Sequence, residues 1–90
     1  MLRGGKSMEK PPFVTMKPVF DEEVLRPGRA VRLGGYDEEG EKQKGIWLIQ
    51  DCNYDRLVLI NHRGTVKTIY IDDVLREDEC YRTTITPLEG

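Results

Sequence analysis

The sequence predicts an all-β domain: five short strands closed into one small barrel, with a short helical turn before the last strand. Three observations carry this. Apolar and β-branched residues recur in runs of five to seven residues, several with the period of two that marks a half-buried strand. The runs are separated by Gly-, Pro-, Asn- and Asp-bearing turns such as Pro27-Gly28 and Asn61-His62-Arg63-Gly64. A flat five-stranded sheet in a chain of 90 residues would expose two edges prone to aggregation, and closure removes most of that hazard.

Taken in order, Asp21-Glu22-Glu23-Val24-Leu25 suits one helical turn with acids near its N-terminus. Pro27-Gly28 turns the chain into a first strand over 29–33, with Val31 and Leu33 inward. Residues 34–44 carry three glycines and clustered acids and read as a long polar loop with little to bury. A second strand spans 45–52 and a third 56–61; the latter is so apolar that both its faces should be covered. Gly64 supplies a positive φ to the tight hairpin that leads to a fourth strand, 65–71. Asp72 is expected to cap the short turn that follows. After a charged loop at 76–80, a fifth strand covers 81–86 and stops at Pro87.

This pattern gives a core of Val31, Leu33, Trp47, Ile49, Leu57, Leu59, Ile69, Val74 and Ile85. The face of the second strand stays open, because Ile46 and Leu48 are as apolar as Trp47 and Ile49.

Residues 1–20 read as a flexible tail, broken by Gly4-Gly5, Pro11-Pro12 and Pro18, ahead of a domain at 21–90. Within it, Arg3-Gly4-Gly5 can be encoded by a purine-rich element of the kind that recruits bacterial ribosomes, so residues 1–7 suit a translated ribosome-binding site with the natural start at Met8. Phe13, Val14 and Phe20 are unusual for a tail. A free linker is the preferred reading; the other has these side chains docked over Ile46 and Leu48, with Lys10 and Lys17 near the acids of the long loop.

The bulk composition narrows the function classes. Residues 21–90 hold ten basic and fifteen acidic side chains, which argues against a general grip on nucleic acid. No apolar run approaches the roughly 20 residues that span a bilayer, and the first residues lack a secretory apolar stretch. The expected location is the cytoplasm. Cys52 and Cys80 form no CxxC pair and read as free thiols, and with His62 they lack the spacing of a zinc site. No metal or cofactor is expected.

The phrase Arg26-Pro27-Gly28-Arg29-Ala30-Val31-Arg32-Leu33, followed by a glycine and the apolar run 45–61, resembles the opening of KOW and Tudor-type domains, small SH3-like barrels. The resemblance covers residues 26–86 and implies an SH3-like barrel in which the long first loop, the second turn and the region before the helical turn lie near one another.

On that arrangement the expected function is a non-catalytic protein- or peptide-binding module. Tyr36, Asp37, Glu38, Glu39, Tyr54 and Tyr70 would form the surface, because aromatics beside acids hold proline-rich or basic segments. Arg56-Leu57 stand where peptide-binding SH3 domains open their third strand with tryptophan, which argues against a PxxP ligand. The alternative is an RNA- or DNA-binding KOW-like module using Arg56, His62, Arg63 and Lys67 around the hairpin. Catalysis is not expected: His62 lies at a hairpin tip with no serine or cysteine nearby in sequence, and Asp72-Asp73 suit a capped turn better than an acid–base pair.

Overall fold

In the computed structural model, which describes residues 13–15 and 18–88, five antiparallel strands form one sheet in the order β4-β3-β2-β1-β5. They are β1 (Ala30–Gly35), β2 (Ile46–Cys52), β3 (Arg56–Ile60), β4 (Val66–Tyr70) and β5 (Thr83–Pro87). A single helical turn, α1 (Ile71–Leu75), and a 3-10 turn at Glu79–Tyr81 lie between β4 and β5. The strands fall within two residues of the expected ranges at either end.

The alternation of side chains decides what is buried. Val31 and Leu33 of β1, Trp47 and Ile49 of β2, Leu57 and Leu59 of β3, Ile69 of β4 and Ile85 of β5 all face one interior, joined by Val74 of α1. The open question of β2 is thus resolved: Trp47 and Ile49 are inward, while Ile46 and Leu48 are about half exposed. A bulge between Ile49 and Asp51 shifts the register of β2 on β3 and brings Cys52 back to the inner face. Of β3, the outward residues Val58 and Ile60 are half-buried rather than covered.

Three local expectations are corrected. The N-cap of α1 is Tyr70, whose N–H donates at 2.9 Å to the carboxylate of Asp73 inside the turn; Asp73 also pairs with Arg76 at 2.7 Å, and Asp72 is exposed. Tyr81 belongs to the 3-10 turn, capped by Asp78, and not to the last strand. Pro87 lies inside β5 opposite Val31. The neighbouring bond runs from the Leu88 N–H to the Ala30 carbonyl, so the proline nitrogen points away from β1 and its missing N–H costs the ladder nothing.

The core also reaches further back in the chain than the pattern suggested. Phe13, Val14 and Phe20 are buried in the same cluster as the strand residues. A small loop closes through a bridge between Val14 and Phe20, and the Phe20 N–H donates to the Tyr54 carbonyl at 2.7 Å. These side chains do not cover Ile46 and Leu48, which stay exposed. The expected mobility of residues 1–10, the ribosome-binding-site reading of residues 1–7 and the placement of Lys10 and Lys17 lie outside the described residues. The following turn holds Leu25, fully buried, and is capped by Asp21, whose carboxylate accepts from Glu23.

The hydrogen-bonded ladder does not close on itself, since β4 and β5 are unpaired edges. Two features bridge the gap between them. α1 touches both strands. A polar chain also crosses it: Lys67 Nζ of β4 donates to Gln43 Oε1 at 2.6 Å, and Gln43 Nε2 donates to Thr83 Oγ1 of β5 at 3.2 Å. The Thr83 hydroxyl in turn donates to the Tyr36 carbonyl at 3.1 Å. Gln43 is therefore buried, whereas the rest of the 34–44 segment buries little, as expected.

Candidate functional site

The segment between β1 and β2 is ordered by its own first acid. Asp37 Oδ1 accepts the N–H groups of Glu39 and Glu41, at 2.8 and 2.9 Å, while the Asp37 N–H donates to the Glu41 carbonyl at 2.8 Å. This turn, with Gly40 at positive φ, lifts Glu38 and Glu39 into solvent. Gly35 starts it at a φ of 72°, where an added Cβ would run into the Arg82 carbonyl oxygen. Glycine is required there both for conformation and for space.

Glu38 and Glu39 form one wall of a cleft of about 280 Å³. The other wall is β4 from Lys67 to Tyr70, with Gln43 joining the two and Asp73 also lining the cleft. Four of the six residues expected at a peptide surface come together here: Asp37, Glu38, Glu39 and Tyr70. Tyr36 and Tyr54 do not line the cleft. Tyr36 is tied by its backbone to Arg82 and Thr83, and Tyr54, 72% exposed, lies in the turn between β2 and β3.

The cleft is acidic. Asp37 and Asp73 are committed to backbone amides. The carboxylates of Glu38 and Glu39 make no hydrogen bond or ion pair among the described residues; the single salt bridge there is Asp73–Arg76. Lys67 is the cation of the cleft, and it is spent on Gln43 and on the Trp47 ring, whose centroid lies 5.3 Å from Nζ. Sequence pattern missed Gln43 and Asp73 as lining residues, because a polar residue in a polar loop or turn carries no periodic signal, and it missed Thr68 because an outward strand residue carries no sign of what lies beside it.

The residues of the alternative set are dispersed. Arg56 opens β3, whereas His62 and Arg63 occupy the hairpin tip beyond its other end, about 20 Å away along an extended strand. Lys67 is half-buried and engaged in the cleft.

A second feature runs across the outer face of the sheet. Ala30 of β1 pairs with Leu48, Leu48 with Ile60, and Ile60 with Val66 of β4. This apolar row crosses four strands and ends at the open β4 edge. Leu48 and Val66 are 49% and 55% exposed, and no described element covers them.

A wider concavity at Arg26–Ala30 and Leu88 offers less chemistry, since Arg29 is spent on the carbonyls of Val24 and Leu88. Cys52 is a buried free thiol whose pKa is pushed up to about 11 by burial and then by the nearby carboxylates of Glu22, Asp51 and Asp21. It is protonated and inert at neutral pH. Cys80 is exposed. Among the described residues no group of three or more His, Cys, Asp or Glu side chains is placed to hold a metal ion, and no helix is long and apolar enough to cross a membrane. Compared with protein-family models, with characterised proteins and with solved structures, the chain matches none.

Proposed function

We propose that this chain is a non-catalytic protein-interaction module, an SH3-like barrel whose acidic cleft takes a lysine- or arginine-bearing segment of another protein. The observation that carries the reading is the pair of unpartnered carboxylates, Glu38 and Glu39, held in one cleft against strand β4. A cation entering there gains charge attraction from two carboxylates, and it displaces no ion pair from them. The barrel assignment draws support from the strand order, from the helical turn between β4 and β5, and from the Lys67–Gln43–Thr83 chain that spans the gap between the edges. Free thiols at Cys52 and Cys80 suit a reducing, cytoplasmic setting.

The reading is tested by fluorescence polarisation of labelled lysine-rich peptides on the full chain. Glu38→Lys with Glu39→Lys should weaken binding at least about tenfold at low salt, and the interaction should fade as salt is raised. Equal binding by the charge-reversed variant would refute the cleft as the site.

A further inference from the structure

The β4 edge is unfinished in a specific way. The Ile71 N–H donates to the Asp55 carbonyl and the Asn61 N–H to the Thr65 carbonyl, at 2.9 and 3.0 Å. Both bonds belong to the register that sets Leu57 opposite Ile69 and Leu59 opposite Lys67. Because hydrogen-bonded pairs alternate along an antiparallel ladder, Lys67 and Ile69 turn their backbone groups toward β3. Those of Val66, Thr68 and Tyr70 turn to the open edge. The Tyr70 N–H is taken by Asp73. Val66 and Thr68 have no backbone partner on that side among the described residues.

The two faces of this edge differ in chemistry. Val66, Thr68 and Tyr70 lie on the outer face, where the row Ala30–Leu48–Ile60–Val66 ends. Lys67 and Ile69 lie on the inner side, in the cleft shared with Glu38 and Glu39. The opposite edge of the sheet is not equivalent, because the nitrogen of Pro87 faces outward on β5 and denies a donor to any incoming strand.

We propose that β4 is completed by an extended segment of another protein, added antiparallel as a sixth strand, in which apolar residues alternate with lysine or arginine. This rests on the peptide-binding reading above and specifies its mode. The apolar side chains of the segment prolong the row beyond Val66. The basic ones, pointing to the other face, reach Glu38 and Glu39. Main-chain bonds to Val66 and Thr68 hold the segment, and the alternation selects it. A second copy of this chain is a poorer occupant, since pairing β4 with β4 would bring two sets of Asp37, Glu38 and Glu39 together.

Two capped hexapeptides of one composition test this on the full chain: alternating Lys-Val-Lys-Ile-Lys-Val and blocked Lys-Lys-Lys-Val-Ile-Val. The alternating peptide should bind about tenfold tighter or more. In antiparallel pairing its valine and isoleucine amides face β4. N-methylation of those amides should therefore cost about tenfold or more, while methylation of the lysine amides is tolerated. Hydrogen exchange at the Val66 and Thr68 amides should slow in the complex. If both peptides bind equally and Val66 and Thr68 exchange as before, strand addition is wrong while the acidic cleft stands. If neither peptide binds, both readings fall.

Discussion

Phe20→Ala measures whether the segment before the first strand belongs to the folded unit. The ring is 2% exposed and sits in the main core cluster, alongside Phe13 and Val14. Its removal forfeits the transfer energy of a buried aromatic and leaves a cavity, together about 3–5 kcal/mol. A domain of this size has roughly 5–10 kcal/mol in all, so the variant should lose about a third or more of its stability. Trp47, the sole tryptophan and itself buried, reports urea unfolding by fluorescence. With a slope of about 1–1.5 kcal/mol per molar urea, the midpoint should fall by about 2–5 M, or the chain should be partly unfolded without denaturant. Tyr54→Ala is the matched control. Tyr54 accepts the Phe20 N–H through its backbone carbonyl, but its side chain is exposed, so its truncation should change stability by no more than about 0.5 kcal/mol. If Phe20→Ala shifts the midpoint no more than Tyr54→Ala, residues 13–20 are not part of the cooperative unit.

Two further predictions concern β2. Trp47→Ala should cost about 3–5 kcal/mol in the same urea assay, while Leu48→Ser, one residue away on the outer face, should cost under about 1 kcal/mol; the reverse order would invert the assigned faces. The thiol of Cys52, with its pKa raised to about 11 from an ordinary value near 9.0, stays protonated in the folded state after the unfolded chain has released its proton. Stability from this group is therefore full below about pH 9 and is lost as pH rises from there toward about 11, a decline that Cys52→Ala should lessen; parallel pH profiles for the two chains would contradict it.

The strand core was legible because period two is a strong signal where a strand has one wet face. All nine residues expected inside are buried. Where that contrast fades, the sequence was ambiguous: β2 is apolar on both faces, and the bulge at Gln50 that returns Cys52 to the core leaves no mark in the pattern. Phe13 and Phe20 left two readings open, a linker from the prolines and lysines around them and a docked segment from their own apolar rings; the bond from the Phe20 N–H to Tyr54 and the burial of both rings favour the docked one, in the core rather than over Ile46 and Leu48. Gln43 was invisible for a different reason. Its burial depends on Lys67 and Thr83, each distant in sequence, satisfying both ends of its amide. The acids of the candidate site were legible as a cluster, and Tyr70 as an aromatic near them. The exclusion of Tyr36 and Tyr54 from the cleft depends on turn geometry that composition does not encode.

The central claim is that the cleft between the acidic loop and β4 takes a cationic segment, and a residue-resolved titration addresses it most directly. Amide chemical shifts of the full chain should be followed as a lysine-rich peptide is added at low salt. Saturable changes should concentrate at residues 37–39 and 66–70, and they should vanish in the Glu38→Lys, Glu39→Lys variant while its thermal midpoint stays within a few degrees of the parent's. Shifts centred instead on His62 and Arg63, or changes of equal size in the charge-reversed variant, would contradict the account.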